Sequence, residues 1–241
     1  MKRPLQTLLL TLTGTGLLHT ALLTDTYLRY VKAGLRPALI VSGAVLLLLG
    51  LAGALTRDRQ HTAGTGHGHD HTGMPRVAWL LFLPALSLLL LPPPALGAYT
   101  AARADTKPVA VQKGFGPLPA TSPLPLTLTD FTKRVQQDRG RAIEHRTVRL
   151  TGFVTPAGRD AGWYLTRIVF SCCAADSQTV KVRVYGGEAP PADTWVEVMG
   201  TWHPRGTLGT RTAEAALDAR GVRPVAQPVN AYTDDLPLTP S

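Results

Sequence analysis

Three long stretches of this chain carry no charged side chain: between Arg3 and Asp25, between Arg36 and Arg57, and between Arg76 and Arg103. Each is about 20 residues or more, the length an α-helix needs to cross roughly 30 Å of hydrocarbon. The pattern predicts three membrane spans, near 4–23, 37–56 and 77–94, within a transmembrane region 1–97. Pro92-Pro93-Pro94 would end the third, because proline removes a donor and clashes with the preceding turn. The first stretch is diluted by Gln6, Thr11, Thr13, Thr15 and His19. Those hydroxyls suit a helix packed against others, where they satisfy backbone carbonyls or neighbouring helices. The competing reading is a secretory signal with Met1-Lys2-Arg3 as its basic start, but no small-x-small cleavage site follows a compact apolar core.

Beyond the third stretch the chain changes character. Residues 98–125 are rich in Ala, Thr and Pro and read as an extended, semi-rigid linker. Thr129 or Asp130 then caps a short helix running to about Gln137, with Phe131 and Val135 on one face. From Thr147 the apolar period falls to two. Runs at Thr147–Val154, Trp163–Phe170, Val180–Tyr185, Trp195–Trp202 and, more weakly, Ala216–Val225 are separated by Gly, Pro and Asp turns. Short alternating strands of this kind predict a small all-β, OB-like barrel over 126–228 with one short helix, followed by a tail 229–241.

The net charge of +9 raises the question of nucleic acid. Residues 1–125 hold 11 basic and 4 acidic side chains, whereas 126–241 hold 14 and 12, so the excess flanks the apolar stretches and the β domain is close to neutral. Basic residues commonly sit at membrane edges, and a near-neutral domain has little attraction for a phosphate backbone. A bilayer is the expected partner and nucleic acid is not. The basic flanks are nearly balanced; weight given to the first helix places the N-terminus inside and the C-terminal domain outside the plasma membrane, as a multi-pass protein.

Two groups of residues carry candidate chemistry. Cys172 and Cys173, the only cysteines, are followed by Asp176 in Ser-Cys-Cys-Ala-Ala-Asp. Adjacent residues of a regular strand face opposite ways, so the thiols converge only if the chain leaves the strand there. In that case two thiolates and a carboxylate, completed by His203 or His145, make a site for zinc or another soft divalent metal. One buried cysteine beside an incidental neighbour, or a disulfide between the two, are the competing readings. The second group is His61, His67, His69, Asp70 and His71 in the loop 57–76, a flexible divalent-metal chelator by composition. No P-loop, GxSxG, HExxH or dinucleotide fingerprint is present, so no enzyme is expected. A thiol oxidoreductase would need a cysteine with a lowered pKa, and the CxxC spacing is missing.

The segment Arg167-Ile168-Val169-Phe170-Ser171-Cys172-Cys173-Ala174-Ala175-Asp176, together with the Pro-Pro-Pro-Ala-Leu-Gly end of the third stretch and the His-containing loop, resembles the YcgQ-like family of bacterial two-component permease subunits in its actinobacterial form. The resemblance implies an accessory subunit in complex with a multi-span permease, and points to Cys172, Cys173 and Asp176 without giving them a role. The alternative is a stand-alone membrane protein that binds or senses metal.

Overall fold

The structure is a computed structural model and describes residues 2–60, 96–104, 108–158 and 162–238. It divides into two compact units, one built on residues 1–27 and 33–95 and the other on 28–32 and 96–241.

In the first unit, α1 (Lys2–Leu23) and α2 (Arg36–Gln60) pack side by side as a hairpin. Glycine makes the contact close. A Cβ on Gly14 would stand 2.7 Å from the Leu47 nitrogen and 2.8 Å from the Gly43 carbonyl, and one on Gly50 would stand 2.5 Å from Thr11 Oγ1. Small residues at a helix interface allow this approach of backbones, which is how helices associate where apolar burial offers little gain. The threonine hydroxyls turn back on their own helix, Thr11 onto Thr7 and Thr20 onto Gly16. Arg36 Nε closes the open end on the Ala21 carbonyl at 2.8 Å.

The expectation of three spans is corrected here. Among the described residues one helix is long and apolar enough to cross a membrane, over Ala33–Leu55. It buries little of itself, and Val41, Leu48 and Leu55 stand largely exposed. Its α1 neighbour falls short, because threonines, glycines, Gln6 and His19 interrupt its leucines. The third predicted span, 77–94, lies outside the described residues.

The second unit contains the β domain. Thr127 caps α4 (Leu128–Gln137), its hydroxyl accepting from the Asp130 amide at 3.0 Å, and the helix buries Leu128, Phe131 and Val135. Five strands follow: β2 (Val148–Pro156), β3 (Trp163–Val169), β4 (Gln178–Tyr185), β5 (Trp195–Trp202) and β6 (Ala216–Pro224). The two-residue β1 (Leu124–Pro125) runs parallel to the start of β2. The order β2-β3-β4-β6-β5 closes because β5 pairs back onto β2. Only β4 and β6 are parallel within this ring. The β domain expected from the sequence is therefore present as a five-stranded barrel of OB-like strand order.

Alternate residues explain its interior: Leu150, Leu165, Val182, Val184, Val196 and Val198 are fully buried with Trp163 and Phe131. Gly200 sits at a register shift between β5 and β6, where a Cβ would meet the Asp218 carbonyl at 2.2 Å. Bulges of this kind bend strands so that a small sheet can close.

A second apolar cluster covers the outside, joining Phe153, Ile168 and Phe170 to Ala98 and Ala101 of α3 (Ala98–Arg103) and to Ala231 and Tyr232. Tyr232 stacks on Phe170, ring centres 4.7 Å apart and planes within 5°. Its carbonyl accepts from the Phe170 amide at 3.0 Å, and its hydroxyl donates to Leu96 O at 2.9 Å. Arg167 donates to the Asn230 and Thr233 carbonyls at 3.1 and 3.0 Å. Burial pushes its pKa down to about 10, against the pull of Asp234 and Asp235. The Ala/Thr/Pro-rich stretch is extended from 108 onward, and side chains of the domain hold its carbonyls: Gln137 takes Ala110 O, Arg134 Gly116 O, and Arg146 both Pro119 O and Thr121 O.

Phe131 is the plug between α4 and the barrel, with no exposed surface. Replacing it by alanine should lower the stability of the barrel by about 3–5 kcal/mol. Urea unfolding of the full chain, followed by tryptophan fluorescence, measures this; a shift under about 1 kcal/mol would show that the helix is not part of the core.

Candidate functional site

The outer cluster positions the thiol loop at its root. β3 ends at Val169, and Phe170 is held through ring and main chain by Tyr232. Ser171 is thus the first residue released from the sheet, and the chain makes one 3₁₀ turn, Ala174–Asp176, before β4 begins at Gln178. The predicted departure from strand geometry is present, and it brings the two thiols to one side.

Asp176 organises the turn. Its Oδ1 accepts from the amides of Ser171 and Cys173 at 3.0 and 3.3 Å, and its Oδ2 from the amide of Cys172 at 2.7 Å. Three amides on one carboxylate satisfy main-chain donors that would otherwise have no partner in so short a loop. The loop is also held from outside. Lys32 N donates to Cys172 O at 2.9 Å, and Ala174 N donates to Tyr30 O at 2.7 Å, so that Val31 and Cys173 form an isolated antiparallel bridge. Residues 28–32 belong to the same compact unit as the barrel. Nothing in the sequence signals this clamp, because Tyr30-Val31-Lys32 is an ordinary tripeptide some 140 positions upstream.

The result is a tight set of donors. The sulfurs of Cys172 and Cys173 lie 3.6 Å apart as free thiols, and with an Asp176 oxygen all three ligand atoms fall within 4.8 Å of one another. Cys172 is exposed, while Cys173 and Asp176 are half-buried. The neighbouring Asp176 carboxylate pushes the Cys172 thiol pKa up to about 11, with Cys173, to which that thiol donates at 3.6 Å, adding to the shift. The Cys172 thiol in turn lowers the pKa of Asp176, helped by the three amides and opposed by desolvation. The loop therefore stores a proton on sulfur and a negative charge on the carboxylate. That is the opposite of the lowered thiol pKa a dithiol oxidoreductase uses. The cations nearest in sequence do not help, since Arg167 serves the Asn230 and Thr233 carbonyls and Lys181 donates to Ala104 O.

His203 is not with the thiols. Its ring packs against Tyr185, centres 4.2 Å apart and planes tilted by 33°, and its Nδ1 lies 2.7 Å from Asp218 Oδ1. Tyr185 ends the eight-residue β4 that Gln178 begins beside the cysteine loop, and a strand of that length spans about 23 Å. His145 is exposed and pairs with Glu144 at 4.0 Å. Among the described residues, no histidine joins the Cys172–Cys173–Asp176 group. The other candidate ligands, His61, His67, His69, Asp70 and His71, lie outside the described residues.

The chain thus presents a five-stranded OB-like barrel with a dithiol–carboxylate loop at the β3–β4 turn. Residues 129–233, which include all of that loop and nearly all of the barrel, match the DUF1980 C-terminal domain, an uncharacterised family. No curated protein and no solved structure matches the chain.

If Asp176 is the organiser, Asp176→Ala should speed amide hydrogen exchange at Ser171, Cys172 and Cys173 by about tenfold or more while barrel strands keep their protection. The sign of the pH effect follows from its lowered pKa. The stabilising contribution is present above the usual carboxylate range and is lost as pH falls through the lower, folded value. Unchanged exchange in the variant would remove the carboxylate from this role.

Proposed function

We propose that this chain is a membrane-anchored accessory subunit of a permease complex, whose barrel captures a soft divalent cation at Cys172, Cys173 and Asp176. The observation that carries the reading is the convergence of two thiols and a carboxylate on one exposed loop. Zinc-class geometry suits it: at about 2.3 Å per Zn–S bond, tetrahedral coordination needs sulfurs about 3.8 Å apart, and the thiols already stand at 3.6 Å. Binding balances as M²⁺ plus two thiols and one carboxylate giving a dithiolate–carboxylate complex and two protons. It is capture without catalysis.

The permease partner rests on the resemblance of the cysteine segment to two-component permease subunits. The exposed apolar length of α2 supports an anchor that meets lipid or other helices, since a single apolar helix with no intramembrane charge offers no translocation path of its own. Purification of the tagged full-length protein from native membranes tests the partner. A multi-span protein recovered in near-equal amount supports the subunit reading, whereas a partnerless chain that still binds metal supports a stand-alone metal-binding protein.

Titration of the full-length protein with Co²⁺, read by the thiolate-to-metal absorption band, tests the site. One ion should bind per chain, and Cys172→Ser with Cys173→Ser should abolish the band while leaving the barrel folded by circular dichroism. Because the Cys172 proton is held to about 11, it must be displaced by the metal throughout the range pH 6–8. Apparent affinity should therefore rise at least about tenfold per pH unit. A flat profile would exclude thiolate coordination at Cys172.

A further inference from the structure

The capacity of Asp176 to coordinate is limited by what it already does. A carboxylate oxygen has two lone pairs. On Oδ1 both are engaged, by the Ser171 and Cys173 amides, while Oδ2 holds the Cys172 amide. That leaves one lone pair on Oδ2 for a metal. Asp176 can therefore offer one bond, from Oδ2, without dismantling the turn. Two thiolates and one carboxylate oxygen make three ligands. Among the described residues no fourth histidine, cysteine or acid completes the set. Four-coordinate sites that are structural are closed by protein ligands, whereas three protein ligands leave a position open. That position would be accessible, since Cys172 is exposed.

We propose that the loop is a transfer site: it holds a zinc-class divalent cation in open, three-ligand coordination and passes it to an acceptor that offers thiolate or imidazole. This rests on the metal-capture reading above. The incoming ligand occupies the vacant position first, and the bonds to Oδ2, Cys173 and Cys172 then break in turn. The thiolates regain protons, and no electron is exchanged. The loop need not unfold, because its main chain is held by Asp176, by Lys32 N on Cys172 O and by Tyr30 O on Ala174 N.

The test is the rate of metal removal from the Co²⁺-loaded full-length protein by the chromogenic chelator 4-(2-pyridylazo)resorcinol. For transfer through an open position, the rate should increase in proportion to chelator, about tenfold for a tenfold excess. Asp176→Asn, which keeps both thiolates, should retain the thiolate band and lose metal faster. A rate independent of chelator overturns the proposal, because it describes a closed site that empties by its own dissociation. Absence of any thiolate–cobalt band in the wild-type protein would instead overturn the metal-capture reading on which the proposal stands.

Discussion

The barrel exists because β2 is shared. Its first six residues, Val148 to Phe153, pair with β5, and its last four, Phe153 to Pro156, pair with β3. One strand thereby joins the two ends of the sheet and leaves no long open edge. Everything near the site follows from that closure. It aligns β3 with β4 over Trp163–Val169, brings Phe153 and Ile168 together on the outer surface, and so creates the apolar patch on which α3 and the C-terminal segment settle. Phe170, stacked under Tyr232, is where this rigid assembly stops. The thiol loop starts from a fixed point and not from a fraying strand.

Within the loop, one carboxylate holds the turn and still keeps a lone pair on Oδ2. Asp176 accepts from three amides, and the turn is complete without any ligand. A turn held by its own carboxylate keeps its shape when empty, as the proposed carrier role requires. The raised pKa of Cys172 is the opposite of what redox-active pairs use.

Much of this architecture was legible in the chain. The period-two runs from Thr147 to Val225 fall on the five strands, and Phe131 and Val135 mark the buried face of the one helix before them. A departure from strand geometry is readable at Ala174-Ala175-Asp176-Ser177; the chain in fact leaves the sheet earlier, after Phe170. Charge-free length misled at the other end. Length without charge makes residues 4–23 look like a span, but the threonines and glycines there serve the contact with α2 and dilute the apolarity a span needs. His203 was grouped with the thiols on chemistry alone, and the strand order puts it at the far end of β4 beside Tyr185 and Asp218.

The sequence by itself determined the elements and the donor types: alternation and turn residues specify strands locally, and Cys-Cys-x-x-Asp supplies two thiols and a carboxylate within one short segment. Only the tertiary structure decided which donors meet. Pairing Cys173 with Val31, seating Tyr232 on Phe170 and excluding His203 all depend on contacts between segments far apart in the chain. Such contacts leave no periodic trace in the sequence, because they are set by how the closed sheet stacks its surfaces and not by the preference of any one residue.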